Sequence, residues 1–224
     1  MRETWRALLD LALPPVCAGC GEAVVDHEAL CARCDGALVR DPLHPEAGSG
    51  GALAAGVAAV LYRGDAERWV HRFKYPRRGL AGLDPAPGAV LRALIHEAAA
   101  RAPGPAPGCV VPVPLHPRRL RARGFNPATS LARWAARPLG VPVRPTLLRR
   151  VRDTPSQTGL NRRQRARNMR NAFCARPDLR LPNCIWLVDD VTTTGSTLGE
   201  AARALRRAGA RRVVSVCVAR TPES

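Results

Sequence analysis

The stretch that most limits what this chain can fold into is IWLVDDVTTTGST, from Ile185 to Thr197. Four consecutive apolar residues, Ile185 to Val188, suit a strand buried on both faces, and such a strand needs helices above and below a parallel sheet. Asp189 and Asp190 follow at the strand's C-terminal end, the edge where open α/β sheets gather their ligands. The loop Thr192–Thr197 offers backbone N–H groups and hydroxyls, and a helix starting at Leu198 would aim its positive dipole end at the same point. That combination cradles a phosphate. The two carboxylates would repel the same phosphate, so they suit a neighbouring diol, whose hydroxyls donate to carboxylate oxygens, or a magnesium ion. A ribose 5-phosphate satisfies both halves.

The rest of the chain supplies the partners such a strand needs. Ala54–Tyr62 reads as a first strand, Glu67–Tyr75 and Ala89–Arg101 as helices, and Cys109–His116 as a strand entering a basic loop. Pro127–Gly140 has helix character, Leu198–Ala208 is a helix ended by Gly209, and Arg212–Ala219 is a strand. Between them, Arg149 to Asn171 is polar and basic with little apolar periodicity, and is expected to be a mobile excursion. Strands alternating with helices predict an α/β fold with a parallel sheet. With 224 residues and a hydrophobic content of 46%, a sizeable core can be buried.

A small cysteine-rich unit precedes this domain. The linker from Asp41 to Gly51, DPLHPEAGSGG, marks a boundary, so a first unit is expected over residues 1–48 and a second over 52–224. Cys17, Cys20, Cys31 and Cys34 have the spacing C-x2-C-x10-C-x2-C, which suits two turns each supplying a pair of thiolates to a tetrahedral zinc ion. A redox C-x-x-C needs only one pair. Too small to bury much core, the unit should depend on that metal to fold. Cys109, Cys174, Cys184 and Cys217 stand in apolar strand contexts and are expected to pack in the core. The five histidines lack metal-ligand spacing.

Charge is concentrated. Between His116 and Arg176 there are sixteen arginines and one acid, Asp153, whereas the rest of the chain carries nineteen basic and seventeen acidic residues. Nearly all of the net charge of +17 therefore lies in one stretch, which points to a phosphate-rich partner, a nucleotide or a nucleic-acid backbone. The only aromatic residues there are Phe125, Trp134 and Phe173, fewer than the stacking platforms of single-strand binders use.

Several classes are excluded. The lone lysine, Lys74, sits in RFKYPRR and not in G-x-x-x-x-G-K-[ST], so a P-loop ATPase is ruled out, and a dinucleotide-binding G-x-G-x-x-G is absent. No apolar run is long enough to span a bilayer, so membrane insertion is not expected. The N-terminal apolar stretch is short and interrupted by Asp10, and reads as an amphipathic helix, Trp5–Leu13, stopped by Pro14 and Pro15. A cytoplasmic location is expected, which also disfavours disulfides.

The stretch IWLVDDVTTTGST resembles the 13-residue signature of type I phosphoribosyltransferases: four apolar residues, two acids, then a T-T-G-x-T loop. The resemblance implies that Asp189 and Asp190 form the catalytic pair, holding the ribose hydroxyls of phosphoribosyl pyrophosphate (PRPP). Thr193, Thr194, Gly195, Ser196 and Thr197 would line its 5-phosphate, with magnesium accompanying it.

It extends to the ComF family of competence proteins, whose pattern is met in FKY (Phe73–Tyr75), VPVPLHPRRLRARGFN (Val111–Asn126), RDTPSQTGLNRRQRARN (Arg152–Asn168) and the cysteine quartet. The fold implied is that of a type I phosphoribosyltransferase with a small zinc-ribbon-like module. Arg118, Arg119, Arg121 and Arg123 follow a strand and carry guanidinium forks that match the pyrophosphate oxygens; which of them point inward is left open. Residues 149–171 would correspond to the mobile loop that closes over such sites. The implied role is an accessory in DNA uptake or single-stranded DNA handling, with other DNA-uptake proteins as partners and Arg162, Arg163 and Arg165 contacting nucleic acid. The alternative is a metabolic transferase passing ribose 5-phosphate from PRPP to a nitrogen acceptor.

Overall fold

The computed structural model describes residues 15–24, 28–42, 51–76, 78–79, 82–83, 86–153, 162–176 and 180–222. The expected helix Trp5–Leu13 lies outside them. After a short helix α1 (Ala32–Gly36), the chain forms β1 (Ala55–Leu61), α2 (Asp65–Lys74), a small hairpin of β2 (Arg78–Gly79) and β3 (Gly82–Leu83), α3 (Ala86–Ala100) and β4 (Cys109–Pro112). Next come α4 (Pro117–Arg123), α5 (Pro127–Ala136) with a 3-10 turn, Arg137–Leu139, then β5 (Leu148–Arg150), α6 (Arg162–Met169) and β6 (Phe173–Ala175). The last elements are β7 (Cys184–Thr192), α7 (Ser196–Arg207) and β8 (Arg212–Arg220).

Four of these strands make one parallel sheet in the order β1-β8-β7-β4, so the strand carrying the acid pair is central. The alternation of side chains along β7 divides its residues between two apolar layers. Trp186 and Val188 face the layer built with Trp69 and Val70 of α2, Leu91, Leu94 and Ile95 of α3, and Leu131 of α5. Ile185 and Leu187 face the other, built with Leu198, Ala201, Ala202 and Leu205 of α7 together with Leu148 and Phe173. Helices cover both faces, which is why β7 begins as an uninterrupted apolar run.

The cysteine unit is joined to the sheet. Leu61 N donates to Val39 O at 2.8 Å, Asp41 N donates to Ala59 O at 3.0 Å, and Arg40 bridges Val60 in antiparallel fashion. The chain leaving the unit thus covers the edge of β1 that would otherwise expose unpaired backbone groups. Cys17, Val24, Leu30 and Leu38 lie in the same apolar layer as α2 and α3. A bidentate ion pair locks the junction: Arg220 donates to Asp41 from Nε at 3.0 Å and Nη2 at 2.5 Å, both residues buried.

Three expectations change. The basic stretch after β4 is a helix, α4, not a loop: Pro117 fits its first turn, His116 caps it by accepting from Arg118 N at 3.4 Å, and Gly124 closes it at φ 83°. The described parts of the stretch 149–171 carry structure, with β5 pairing antiparallel to β6 and Met169 wholly buried. Their apolar residues are too widely spaced in sequence to show a period, and they meet only when the arm folds on α7. Cys174 is exposed on the outward face of β6, unlike the buried Cys109, Cys184 and Cys217.

Candidate functional site

β7 runs past the acid pair to Thr192, where it still pairs with Arg220 of β8, so Asp189 and Asp190 sit within the strand and not at its end. The sheet's alternation sends them different ways. Asp190 follows Trp186 and Val188 toward α2, where it is 8% exposed and its Oδ1 stands 2.9 Å from Lys74 Nζ. Burial alone would lower the Lys74 ammonium, but the Asp190 carboxylate outweighs it and holds the pKa above the ordinary lysine value.

Asp189 is half-buried, and its Oδ1 accepts from Asp190 N at 2.9 Å. Burial pushes its carboxyl up to about 7, the neighbouring Asp190 charge adds to the shift, and Lys74 and Arg150 oppose it. Arg150, on β5, is itself 9% exposed, with its guanidinium 5.7 Å from the Phe173 ring centroid. Burial and the charge of Arg119 depress its pKa, while Asp189 supports it.

The phosphate-cradle residues follow directly. Thr193 is exposed and Thr194 half-buried, and the Thr194 and Ser196 hydroxyls are 2.8 Å apart. Gly195 takes the left-handed conformation, φ 68° and ψ 0°, which a side chain would strain, and supplies no side chain to the first turn of α7. Ser196 is buried, Thr197 half-buried, and that first turn holds no acid. The predicted loop residues therefore surround the N-terminus of a twelve-residue helix, where the dipole favours an anion.

Of the four arginines on α4, Arg119 and Arg123 are half-buried, whereas Arg118 and Arg121 are exposed. Arg119 lies within electrostatic reach of Arg150, whereas Arg123 donates to the Tyr75 hydroxyl at 3.0 Å. Arg118 Nη1 lies 3.2 Å from Asp153 Oδ2, so the one acid of the basic stretch ties α4 to the arm that follows β5. Arg162, Arg163 and Arg165 are on α6, but their side chains lie outside the described residues.

Sequence reading alone did not single out Lys74, Arg150 or Glu200 as site residues. Glu200 on α7 is 2% exposed; its Oε1 accepts from Asn171 N at 2.8 Å and its Oε2 accepts from Arg203 Nε at 2.8 Å. It fastens the end of the 149–171 arm to the helix that starts at the cradle. Lys74 was visible only as the centre of FKY, and its partner lies far along the chain.

The four predicted thiolates converge. The Sγ atoms of Cys17, Cys20, Cys31 and Cys34 all lie within 4.8 Å of one another, and those of Cys20 and Cys31 are 3.7 Å apart. Tetrahedral zinc with bonds of about 2.3 Å separates its sulfurs by about 3.8 Å, so the donor set fits that ion. Backbone N–H groups of Gly19 and Cys31 donate to Cys17 Sγ at 3.3 and 3.2 Å. A Cβ on Gly19 would come within 2.8 Å of Cys34 Sγ, so the turn needs glycine. Burial and the surrounding sulfurs push Cys34 up to about 12, and a dication is what would let all four ionise together.

Comparisons with known proteins agree with this layout. A double zinc ribbon domain matches residues 8–48, and a phosphoribosyl transferase domain matches residues 121–224. The DNA utilization protein YhgH of Salmonella typhimurium is 33% identical over 228 residues, spanning 97% of this chain and 96% of that protein. Competence protein F of Haemophilus influenzae is 39% identical over 93 residues, 41% of each chain. Among solved structures, a glutamine PRPP amidotransferase from B. subtilis complexed with ADP and GMP superposes with a TM-score of 0.43 at 18% identity, covering 67% of this chain and 30% of that one. Orotate phosphoribosyltransferase from Aeropyrum pernix gives 0.37 at 18% identity, covering 69% and 92%. With a near full-length relative, a phosphoribosyltransferase domain on a parallel α/β sheet and a four-cysteine ribbon before it, the chain belongs to the ComF/YhgH family.

Proposed function

We propose that the site binds PRPP or a closely related phosphosugar, and that the protein serves as an accessory in DNA uptake or in handling single-stranded DNA. The observation that carries the first half is the placing of Asp189 and Asp190 beside an uncapped helix N-terminus lined by Thr193, Thr194, Gly195, Ser196 and Thr197. In this reading the loop N–H groups and hydroxyls hold the 5-phosphate and Asp189 accepts from a ribose hydroxyl, while Asp190, paired with Lys74 on the α2 side, becomes the second acceptor once that pair opens. Of the four α4 arginines, Arg119, within electrostatic reach of Arg150, is the one this reading assigns to the pyrophosphate, while Arg123 is engaged by Tyr75. Magnesium, when bound with the ligand, would offset the pyrophosphate charge. If transfer occurs, the bond from the anomeric carbon to pyrophosphate breaks as a nitrogen nucleophile attacks. Asp189, facing the sugar, would stabilise positive charge on the ring.

The DNA-handling half is supported by kinship to YhgH and Competence protein F and by the arginines gathered between His116 and Arg176. Calorimetric titration of PRPP with magnesium into the wild type and into Asp189→Asn/Asp190→Asn tests the ligand. Binding that disappears in the double variant is expected; a wild type that does not bind would refute it. Pyrophosphate release dependent on a particular small acceptor would favour the metabolic transferase instead.

A further inference from the structure

The basic stretch alone offers poor stacking surfaces: Phe125 and Trp134 are half-buried and Phe173 is buried. The fold supplies one from elsewhere. Tyr75, at the C-terminal end of α2, is 54% exposed. Its hydroxyl accepts from Arg123 Nη2 at 3.0 Å, and the Arg123 guanidinium carbon lies 4.9 Å from its ring centroid. His71, one turn earlier and exposed, has its ring 5.0 Å from that of Tyr75 at 43°. An arginine of α4 thereby clasps Tyr75, which leans on His71 at the end of α2. With just over half of Tyr75 open, Arg123 and His71 cover only part of it.

The platform is continuous with basic surface on both sides. Along α2, Arg68, His71 and Arg72 share one helix face and line a cleft of about 630 Å³ with Tyr62 and Pro76; Glu67 is the one carboxylate among its lining residues, and Arg68 pairs with Asp65 at the start of the helix. Along α4, Arg121 and Arg118 are exposed, the latter with a side chain 75% open to solvent although it also pairs with Asp153. Guanidinium planes and aromatic rings stack on nucleobases while arginines between them meet phosphates, which is the chemistry of single-strand tracks. An acidic peptide would use the arginines without the rings, and a duplex hides its base faces.

We propose that Tyr75, clasped by Arg123, forms with His71 the base-stacking platform of a single-stranded nucleic-acid track running across the outer faces of α2 and α4. This rests on the DNA-handling reading above. The test is fluorescence anisotropy of a labelled oligothymidylate of about 12 nucleotides, within the ~4–16 nucleotide sites typical of such modules. Tyr75→Ala is expected to weaken binding about 5- to 100-fold, corresponding to one stacked base, and Tyr75→Phe to stay within about threefold of wild type. An abasic oligomer of equal charge, titrated into the wild type, should bind as weakly as the normal oligomer binds Tyr75→Ala; this arm needs no variant to fold. Thermal melting of each variant checks the fold. If the wild type does not bind the oligomer, the DNA-handling reading falls and the platform with it. If it binds but Tyr75→Ala or the abasic oligomer binds equally tightly, the platform alone is refuted. A duplex of the same length competing as well as the single strand would also overturn it.

Discussion

Lys74 Nζ stands 2.9 Å from Asp190 Oδ1, pairing the chain's single lysine with the second acid of its ligand motif and pinning the end of α2 to β7. Their side chains are 22% and 12% exposed, so removing one partner strands a charge in a largely dry place. Lys74→Met should cost about 2–3 kcal/mol, somewhat below the loss for a fully buried pair. Lys74→Met/Asp190→Asn should recover most of it. Urea unfolding of the two single variants and the double variant closes the cycle; additive effects would show that the pair is not coupled.

Asp189 predicts a pH dependence. Burial raises its folded pKa to about 7, above the ordinary aspartate value, so the folded state holds the proton more tightly than the unfolded one. The stability it contributes is complete below the unfolded pKa and is lost as pH rises through 7. Asp189→Asn should therefore raise the melting temperature more in mildly alkaline buffer than in acid. Ribose hydroxyls and magnesium both require the ionised carboxylate, so PRPP affinity should rise across the same window with release of a proton. Calorimetry in buffers of different ionisation enthalpy reads that proton, and Asp189→Asn should abolish this share of it.

Zinc removal should be felt beyond the ribbon. Because Cys17, Val24, Leu30 and Leu38 share a core layer with α2 and α3, and residues 39–41 cover β1, losing the metal loosens the sheet edge. A loss of about 2–3 kcal/mol would lower the melting temperature by roughly 5–10 °C. Metal analysis should give one zinc per chain, and hydrogen exchange should quicken in β1 on chelation. Gly19→Ala should weaken zinc retention because its Cβ would crowd Cys34.

Glu200 connects the basic arm to the cradle helix. Glu200→Ala removes the acceptor for Asn171 N–H and Arg203 in a site only 2% exposed, and should cost about 3 kcal/mol. Limited proteolysis should then cut within residues 150–171 faster than in wild type. Unchanged cleavage would mean that the arm is held by other contacts.

The features legible in the chain are local ones. The run Ile185–Val188 dictates a doubly covered parallel strand, Gly195 and the threonines dictate a turn into a helix, and two C-x2-C pairs dictate one four-thiolate cluster, because each depends on residues adjacent in the chain or on a fixed ligand geometry. The helix α4 is also signalled by His116-Pro117 at its start and Gly124 at its end, but it buries no residue and so carries no apolar period. Tertiary packing alone turns Asp190 onto Lys74, brings the Lys74 and Arg150 charges within reach of Asp189, and sets Tyr75 against Arg123. Those pairings join residues far apart in sequence. Packing of α2 over the sheet and of the arm on α7 brings them together, and no local propensity records it.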